Sequence, residues 1–401
     1  MGNRGIYTPF STQELIPKEE RLEVKLRQGS LSIGIPKELN HQEKRLSLSP
    51  DAVQVLVANG HEITLETGAG LDANYTDQEY SEAGATIAYN AQQVFSKPIL
   101  LKVSPLTEKE IDFLTPNAIV LSTVQINTQT KTYFEKLAAK KITAIGFEFI
   151  KDSHGHLALV RLLSEIAGTT SVLLAGELMA NTNGGNGILM GGIAGVRPTE
   201  LVILGAGTVG EYASKAALGL GANIRVFDES LTRLRRLQSS LGIRVSTSML
   251  DPKELGKSLK RCDIAIGALR GDSRTPCVVT EKMVQHMKPG AVIIDLSIDN
   301  GGCFETSEIT THDQPTFIKH GVIHYAVPNI TSRVARTTTK ALSNFFLPYL
   351  LSIAKEGGFE QVVKNDRGLR AGVYLFHGLN TNQKISDWFD LPFHDINLLI
   401  V

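Results

Sequence analysis

The stretch that decides the fold is Glu200–Ser230, "ELVILGAGTVGEYASKAALGLGANIRVFDES". Leu201 to Leu204 form an apolar run with the length and composition of a buried parallel strand. Gly205, Gly207 and Gly210 follow at once as G-x-G-x-x-G and open a helical stretch. The first glycine permits a tight turn, the second lets the backbone approach a pyrophosphate, and the third lets helix and strand pack closely. The helix N-terminus, which begins with Thr208 and Val209, offers unbonded N–H groups and the positive end of its dipole to phosphates. Asp228 closes the next strand, about 20 residues on, where a carboxylate accepts the ribose hydroxyls of NAD and repels the 2′-phosphate of NADP. Arg233, one turn into the following helix, is either a solvated helix arginine or a group that softens that preference.

Strand and helix signals alternate on both sides of this unit. Towards the N-terminus, "LSIGIP" (31–36) reads as a strand and "SPDAVQVLVANG" (49–60) as a helix, with Ser49 as N-cap, Pro50 at the first helical position and Gly60 at the stop. "HEITLET", "PILLKVSP", "AIVLSTVQ" and "KITAIGFEFI" read as further strands, and "TDQEYSEAG" as another capped helix. A long helical stretch, about 162–179, leads into the glycine-dense loop "NTNGGNGILMGGIAGVRP" (181–198), after which the alternation restarts. This pattern predicts an α/β protein built on parallel sheets. The apolar helix "VARTTTKALSNFFLPYLLSIAKEG" (334–357) is suited to pack back on the first half. The expected organisation is therefore a polar extension over 1–30, a first domain formed by 31–160 plus 334–401, and a dinucleotide-binding Rossmann domain inserted over 161–333.

Composition narrows the function classes. A chain of 401 residues exceeds what one core supports, and with 42% hydrophobic and 20% charged residues it matches soluble globular proteins. Its 41 basic and 41 acidic residues cancel, so no basic footprint for nucleic acid or an anionic membrane is present. Small molecules are the expected partners. Cys262, Cys277 and Cys303 are odd in number and irregular in spacing, which fits reduced thiols in the cytoplasm better than a disulfide framework or a zinc motif. No signal-like segment and no apolar run of membrane-crossing length stands out. His154, His156 and His312 lie in turn-like sequence without partners at ligand spacing, so no metal is expected.

Several motifs in order carry a resemblance. "IGIPKELNHQEKRLSLSPDAVQVLVANGHEITLETGAG", "LLSEIAG", "GGNGILMGGIAGV", the fingerprint, "MKPGAVIIDLSIDNGGCFETS" and "VPNITSRVARTTTKALSNFFLPYLL" together resemble the alanine dehydrogenases, which share their fold with the NAD-binding subunit of nicotinamide nucleotide transhydrogenase. The resemblance runs from about Leu31 to Gly372, and "DNGGCFETS" with "GGNGILMGG" is more similar to the dehydrogenase branch. It implies two Rossmann-like domains, NAD as cofactor, an amino acid or 2-oxo acid as substrate, and a homo-oligomer, commonly a hexamer. By the same resemblance Arg45 holds the substrate carboxylate, Lys102 contacts its carboxylate and carbonyl oxygen, and Asp299 stands beside substrate and nicotinamide. Ser164, Thr208, Val209, Leu269, Leu296, Ser297, Ile298, Val327, Asn329 and Ile330 match positions that line the cofactor.

Two departures bear on chemistry. Gln125 stands where the family carries its catalytic histidine, and an amide does not titrate. "NITSRV" places Thr331, Ser332 and Arg333 where the family has small, rigid residues. The loop "GALRGDSRTPCVV" is also more polar than its counterpart. The implied activity is oxidation of L-alanine by NAD and water to pyruvate, ammonia and NADH, with proton handling left to Asp299 or to a water held by Gln125. A non-catalytic NAD-binding regulator and a transhydrogenase-type hydride carrier stand as alternatives.

Overall fold

The computed structural model describes residues 29–40, 42–271 and 274–400, so nearly all of the expected N-terminal extension lies outside the described residues. The chain divides into two compact units. One runs to Val160 and resumes at Ala335, and the other is Arg161–Val334.

The first unit opens with β1 (Ser32–Ile35), β2 (Glu62–Glu66), β3 (Thr86–Ala88), β4 (Ile99–Leu101), β5 (Ile119–Ser122) and β6 (Thr143–Gly146). These six are parallel and lie in the order β6-β5-β4-β1-β2-β3. The order reverses between β1 and β4, where open α/β sheets place their ligand crevices outside the strand carboxyl ends. Local chemistry sets the helix starts. Thr76 and Glu79 form a capping box at Asp77–Glu82, and Thr107 and Glu110 form another at Glu108–Phe113. Pro50 does open a helix, Pro50–Ala58, but the Ser49 hydroxyl makes no cap bond. Buried Ser49 is held instead through its N–H, which donates to Ser343 Oγ at 2.7 Å.

The second unit contains β7 (Glu200–Leu204), β8 (Asn223–Asp228), β9 (Ser246–Met249), β10 (Ile264–Gly267), β11 (Val292–Asp295), β12 (Thr316–Lys319) and β13 (Val322–Tyr325). Its order is β12-β13-β11-β10-β7-β8-β9, parallel throughout except for the edge strand β12. Within this unit's parallel strands that is the doubly wound dinucleotide order, switching between β7 and β10. Both faces of the sheet are apolar. Leu201 and Ile203 enter one core cluster, and Val202 and Leu204 enter another on the opposite face, as the period of two along a strand requires.

The chain then returns to the first unit through the helix Ala335–Lys355, and β14 (Val373–Phe376) pairs antiparallel with β6, followed by β15 (Leu379–Asn380). The fold is thus α/β with two mostly parallel, Rossmann-like sheets. One sequence expectation is corrected. The helix Ala158–Leu178 is long and apolar enough to cross a membrane by length and composition, although no such run was anticipated. The residue pattern hides it because Arg161, Glu165 and Glu177 interrupt the run, and Val172, Leu174, Ala175 and Leu178 pack into the core of the second unit.

Candidate active site

In the first unit the charged residues gather at the switch point. Lys102 follows the last residue of β4, its N–H bonded to Leu121 O at 3.0 Å, and its ammonium is only 2% exposed. It meets Glu38 Oε2 at 3.1 Å and Glu110 Oε1 at 3.6 Å. Glu38, just past β1, also accepts the Val103 N–H at 2.7 Å. Arg45 is buried in the same loop and is gripped by Glu43, which accepts from Arg45 Nε at 2.7 Å and from Nη2, while the Arg45 N–H donates to Glu43 Oε1 at 3.0 Å. This is the fork-to-carboxylate geometry in which arginine binds anions most strongly. Burial raises the pKa of Glu38, with Glu43 adding to the rise and Lys102 and the backbone N–H groups opposing it.

Glu38, Glu43 and Glu110 were not singled out in the sequence. The readable signal was weak: "KEL", "QEK" and "EKE" look like solvated surface charge, yet all three carboxylates are buried.

Gln125 lies outside the strand that the sequence assigned to it, since β5 ends at Ser122. It is exposed and left-handed, with φ 49°, and starts the 3-10 turn Ile126–Thr128. The turn is fixed from behind by Glu148 Oε1, which accepts the Val124 N–H at 2.9 Å and the Gln125 N–H at 3.0 Å. Glu148 Oε2 is buried with no hydrogen-bond partner among the described residues, and burial raises the carboxyl pKa. A buried carboxyl from the turn after β6 therefore holds the backbone N–H groups that open this turn.

The fingerprint in the second unit is built as its spacing demands. Gly205 has φ +112°, and a Cβ there would meet Ala268 O at 2.5 Å. A Cβ on Gly210 would lie 1.8 Å from Gly205 O. On Gly207 it would meet nothing within 4 Å, so the protein's own packing does not require that glycine. The space over it, at the start of the helix Thr208–Gly219, suits a phosphate approaching the backbone. Thr208 and Val209 form the half-buried first turn.

Asp228 is fully buried. Its Oδ2 accepts the Ala206 N–H at 2.7 Å and its Oδ1 the Ser230 N–H at 2.8 Å, so the carboxylate ties the glycine loop to the end of β8. Arg233 Nη1 stands 3.9 Å from Asp228 Oδ1, and Arg236, not singled out in the sequence, donates to Ala206 O at 3.3 Å.

The remaining cofactor candidates also fall in this unit. Ser297 donates its hydroxyl to Leu269 O at 2.9 Å and its N–H to Asp295 Oδ1 at 3.0 Å, which joins the ends of β10 and β11. Leu296 is half-buried against the core and Ile298 is buried, while Asp299 is exposed in the turn Ile298–Asn300. Ser164 is half-buried on the helix Ala158–Leu178. Val327 and Ile330 are core residues. Asn329 is left-handed, with φ 62°, and the unusual "NITSRV" residues hold its amide: Nδ2 donates to Ser332 Oγ at 2.9 Å, and Thr331 Oγ1 donates to Oδ1 at 2.9 Å. Arg333 turns elsewhere and pairs with Glu177 at 2.6 Å.

Comparison with known proteins finds relatives along most of the chain. The alanine dehydrogenase/PNT N-terminal domain family matches residues 34–167, and the corresponding C-terminal domain family matches 171–383. An alanine dehydrogenase of Staphylococcus epidermidis is 39% identical over 368 residues, covering 91% of this chain and 99% of the relative. Alanine dehydrogenase 2 of Staphylococcus aureus is 38% identical, with 91% and 98% covered. A solved L-alanine dehydrogenase superposes with a TM-score of 0.83 at 34% identity, covering 89% and 98% of the two chains. A transhydrogenase from Sinorhizobium meliloti shares the fold at a TM-score of 0.74 and 23% identity, covering 88% and 99%.

Proposed function

The chain belongs to the alanine dehydrogenase/PNT family, and on that premise we propose that it is an NAD-dependent oxidoreductase acting on the CH–NH2 group, converting L-alanine, NAD and water to pyruvate, ammonia and NADH. The observation that carries this reading is the pair of buried cations, Arg45 and Lys102, contributed by the loop after β1 and the end of β4, where the strand order of the first unit reverses. A desolvated guanidinium fork and ammonium suit one small carboxylate substrate.

Residues 31–160 plus 334–401 form the substrate domain in this reading, and 161–333 the NAD domain. Arg45 and Lys102 orient the amino acid by its carboxylate, and fixing that geometry lowers the barrier by removing translational and rotational freedom. Gly205, Gly207, Gly210 and the first turn at Thr208 and Val209 hold the pyrophosphate. Asp228 keeps negative charge at the ribose position, which favours NAD over NADP. Bound NAD supplies the hydride acceptor. Ser164, Leu269, Leu296 to Ile298, Val327, Asn329 and Ile330 frame the cofactor in this reading. Proton transfer to and from the carbinolamine falls to Asp299, because Gln125 only donates and accepts hydrogen bonds.

The protein is further proposed to be a cytoplasmic homo-oligomer, a hexamer by family resemblance. Leu173, Leu189, Ile193 and Val196 of the second unit are 57 to 67% exposed, and large apolar side chains of this kind are suited to cover by another copy. Light scattering on the eluting protein measures that state. The activity is tested by NADH oxidation with pyruvate plus ammonium, beside a panel of other 2-oxo acids. Ammonium-dependent turnover is expected. NADH binding without turnover on any acid would favour the regulatory homologue.

A further inference from the structure

We propose that Glu38 takes up a proton when the substrate carboxylate binds, so that carboxylate capture at Arg45 and Lys102 is coupled to protonation of a buried glutamate. This rests on the reading of those two cations as the carboxylate clamp.

Both cations already have anionic partners. Lys102 contacts Glu38 at 3.1 Å and Glu110 at 3.6 Å, and Arg45 is held by Glu43 through two guanidinium nitrogens. Glu43 also faces Glu38 closely enough to disfavour its charge. Three buried carboxylates thus stand around two buried cations. A substrate carboxylate adds a further negative charge in a site where water screens little, and the least disruptive relief is neutralisation of one resident carboxylate.

The contacts identify which one. Glu110 is anchored by its capping box, accepting the Thr107 N–H at 2.7 Å, and Glu43 accepts from Arg45 at three nitrogens, Nε, Nη2 and the backbone N–H, of which the last does not depend on the guanidinium. The side-chain cation that Glu38 contacts is Lys102, the very group that the substrate engages. Its remaining bonds come from backbone N–H groups, Val103 at 2.7 Å and Ser104 at 3.3 and 3.4 Å. As the ammonium turns to the substrate, Glu38 loses its main counter-charge. Burial has already raised its pKa, so the further rise draws a proton from solvent.

The sign of the pH dependence follows. Below the raised Glu38 value the group is already neutral and carboxylate affinity is flat. Between that value and the still higher one of the occupied site each binding event draws about one proton and affinity falls about tenfold per pH unit, and above both it is flat again.

The test is calorimetric titration of pyruvate, without ammonium, into the full chain saturated with NADH, in phosphate and in Tris at matched pH. The difference in heats counts protons. Uptake that rises towards one per site as pH passes the raised Glu38 value and declines again at higher pH, once the occupied site also ionises, is the expected result, and Glu38→Gln should abolish both the uptake and the pH dependence of the pyruvate KM. Binding with equal heats in the two buffers would overturn the inference alone, as would undiminished uptake in a folded Glu38→Gln. Should that variant not fold, the two-buffer comparison on the unsubstituted chain decides. No pyruvate binding in either buffer, together with no NADH oxidation when ammonium is added, would overturn the dehydrogenase reading and this inference with it.

Discussion

Outside the reversal between β1 and β4, the first unit places Glu38, Glu43, Arg45 and Lys102; outside the reversal between β7 and β10, the second places Gly205, Ala206, Gly207 and Ala268. The parallel strands of both sheets follow one order, yet one crevice is lined by charged side chains and the other by backbone. The loop after the first strand explains the difference. In the second unit the helix Thr208–Gly219 starts almost at once, so its N–H groups face the crevice. In the first unit residues 36–49 intervene before the helix Pro50–Ala58, and they bring side chains instead. A short glycine turn suits an extended phosphate chain, and a longer charged loop suits one small anion held tightly.

Changes at the two crevices should therefore fail in different ways. The largest effect is expected for Lys102→Met, which leaves Glu38 and Glu110 buried without their cation. Breaking a buried pair this way costs about 3–5 kcal/mol, and chemical denaturation of the variant should show a loss of that order.

Gln125→His comes next. The position is exposed and left-handed, a conformation histidine tolerates better than most residues. If proton transfer limits the rate, kcat for pyruvate amination should rise about 10- to 100-fold and acquire a pH dependence near 6.5. An unchanged kcat would assign proton handling wholly to other groups.

Gly207→Ala isolates the second crevice, because its Cβ meets no protein atom. Thermal stability should stay nearly constant while NADH affinity falls about tenfold, or 1.4 kcal/mol, by fluorescence titration.

The smallest effect belongs to Glu148→Gln. The carboxyl is raised by burial, so its contribution to stability is fully present below the ordinary carboxylate value and is lost as pH rises through the raised one. The variant should gain on the unsubstituted chain by about 1 kcal/mol at alkaline pH, and not at acid pH, in calorimetric scans.

The fold around the glycine turn was largely legible because its signal is local: three glycines and an aspartate within one strand, turn, helix and strand. Lys102 and Arg45 were legible only through matched motifs. Their carboxylate partners were not, since Glu38, Glu43 and Glu110 come from two separate segments whose local charge pattern resembles an ordinary surface. Glu148 escaped for the same reason, being meaningful only once β5 and β6 lie side by side. Strand ends were misread where apolar residues run on past the ladder, as Val124 does after Ser122, because burial continues beyond strand pairing. Thr331 and Ser332 stood out only as a departure from small, rigid residues, and what they do became visible in the fold, which uses their hydroxyls to hold Asn329.

The division of labour between the two crevices is tested most directly by Arg45→Lys, which keeps the charge and removes the fork. Pyruvate KM and NADH affinity should be measured on the same preparation. The expected result is a pyruvate KM raised by about tenfold or more with NADH affinity unchanged. A pyruvate KM that stays constant while NADH binding weakens would contradict it.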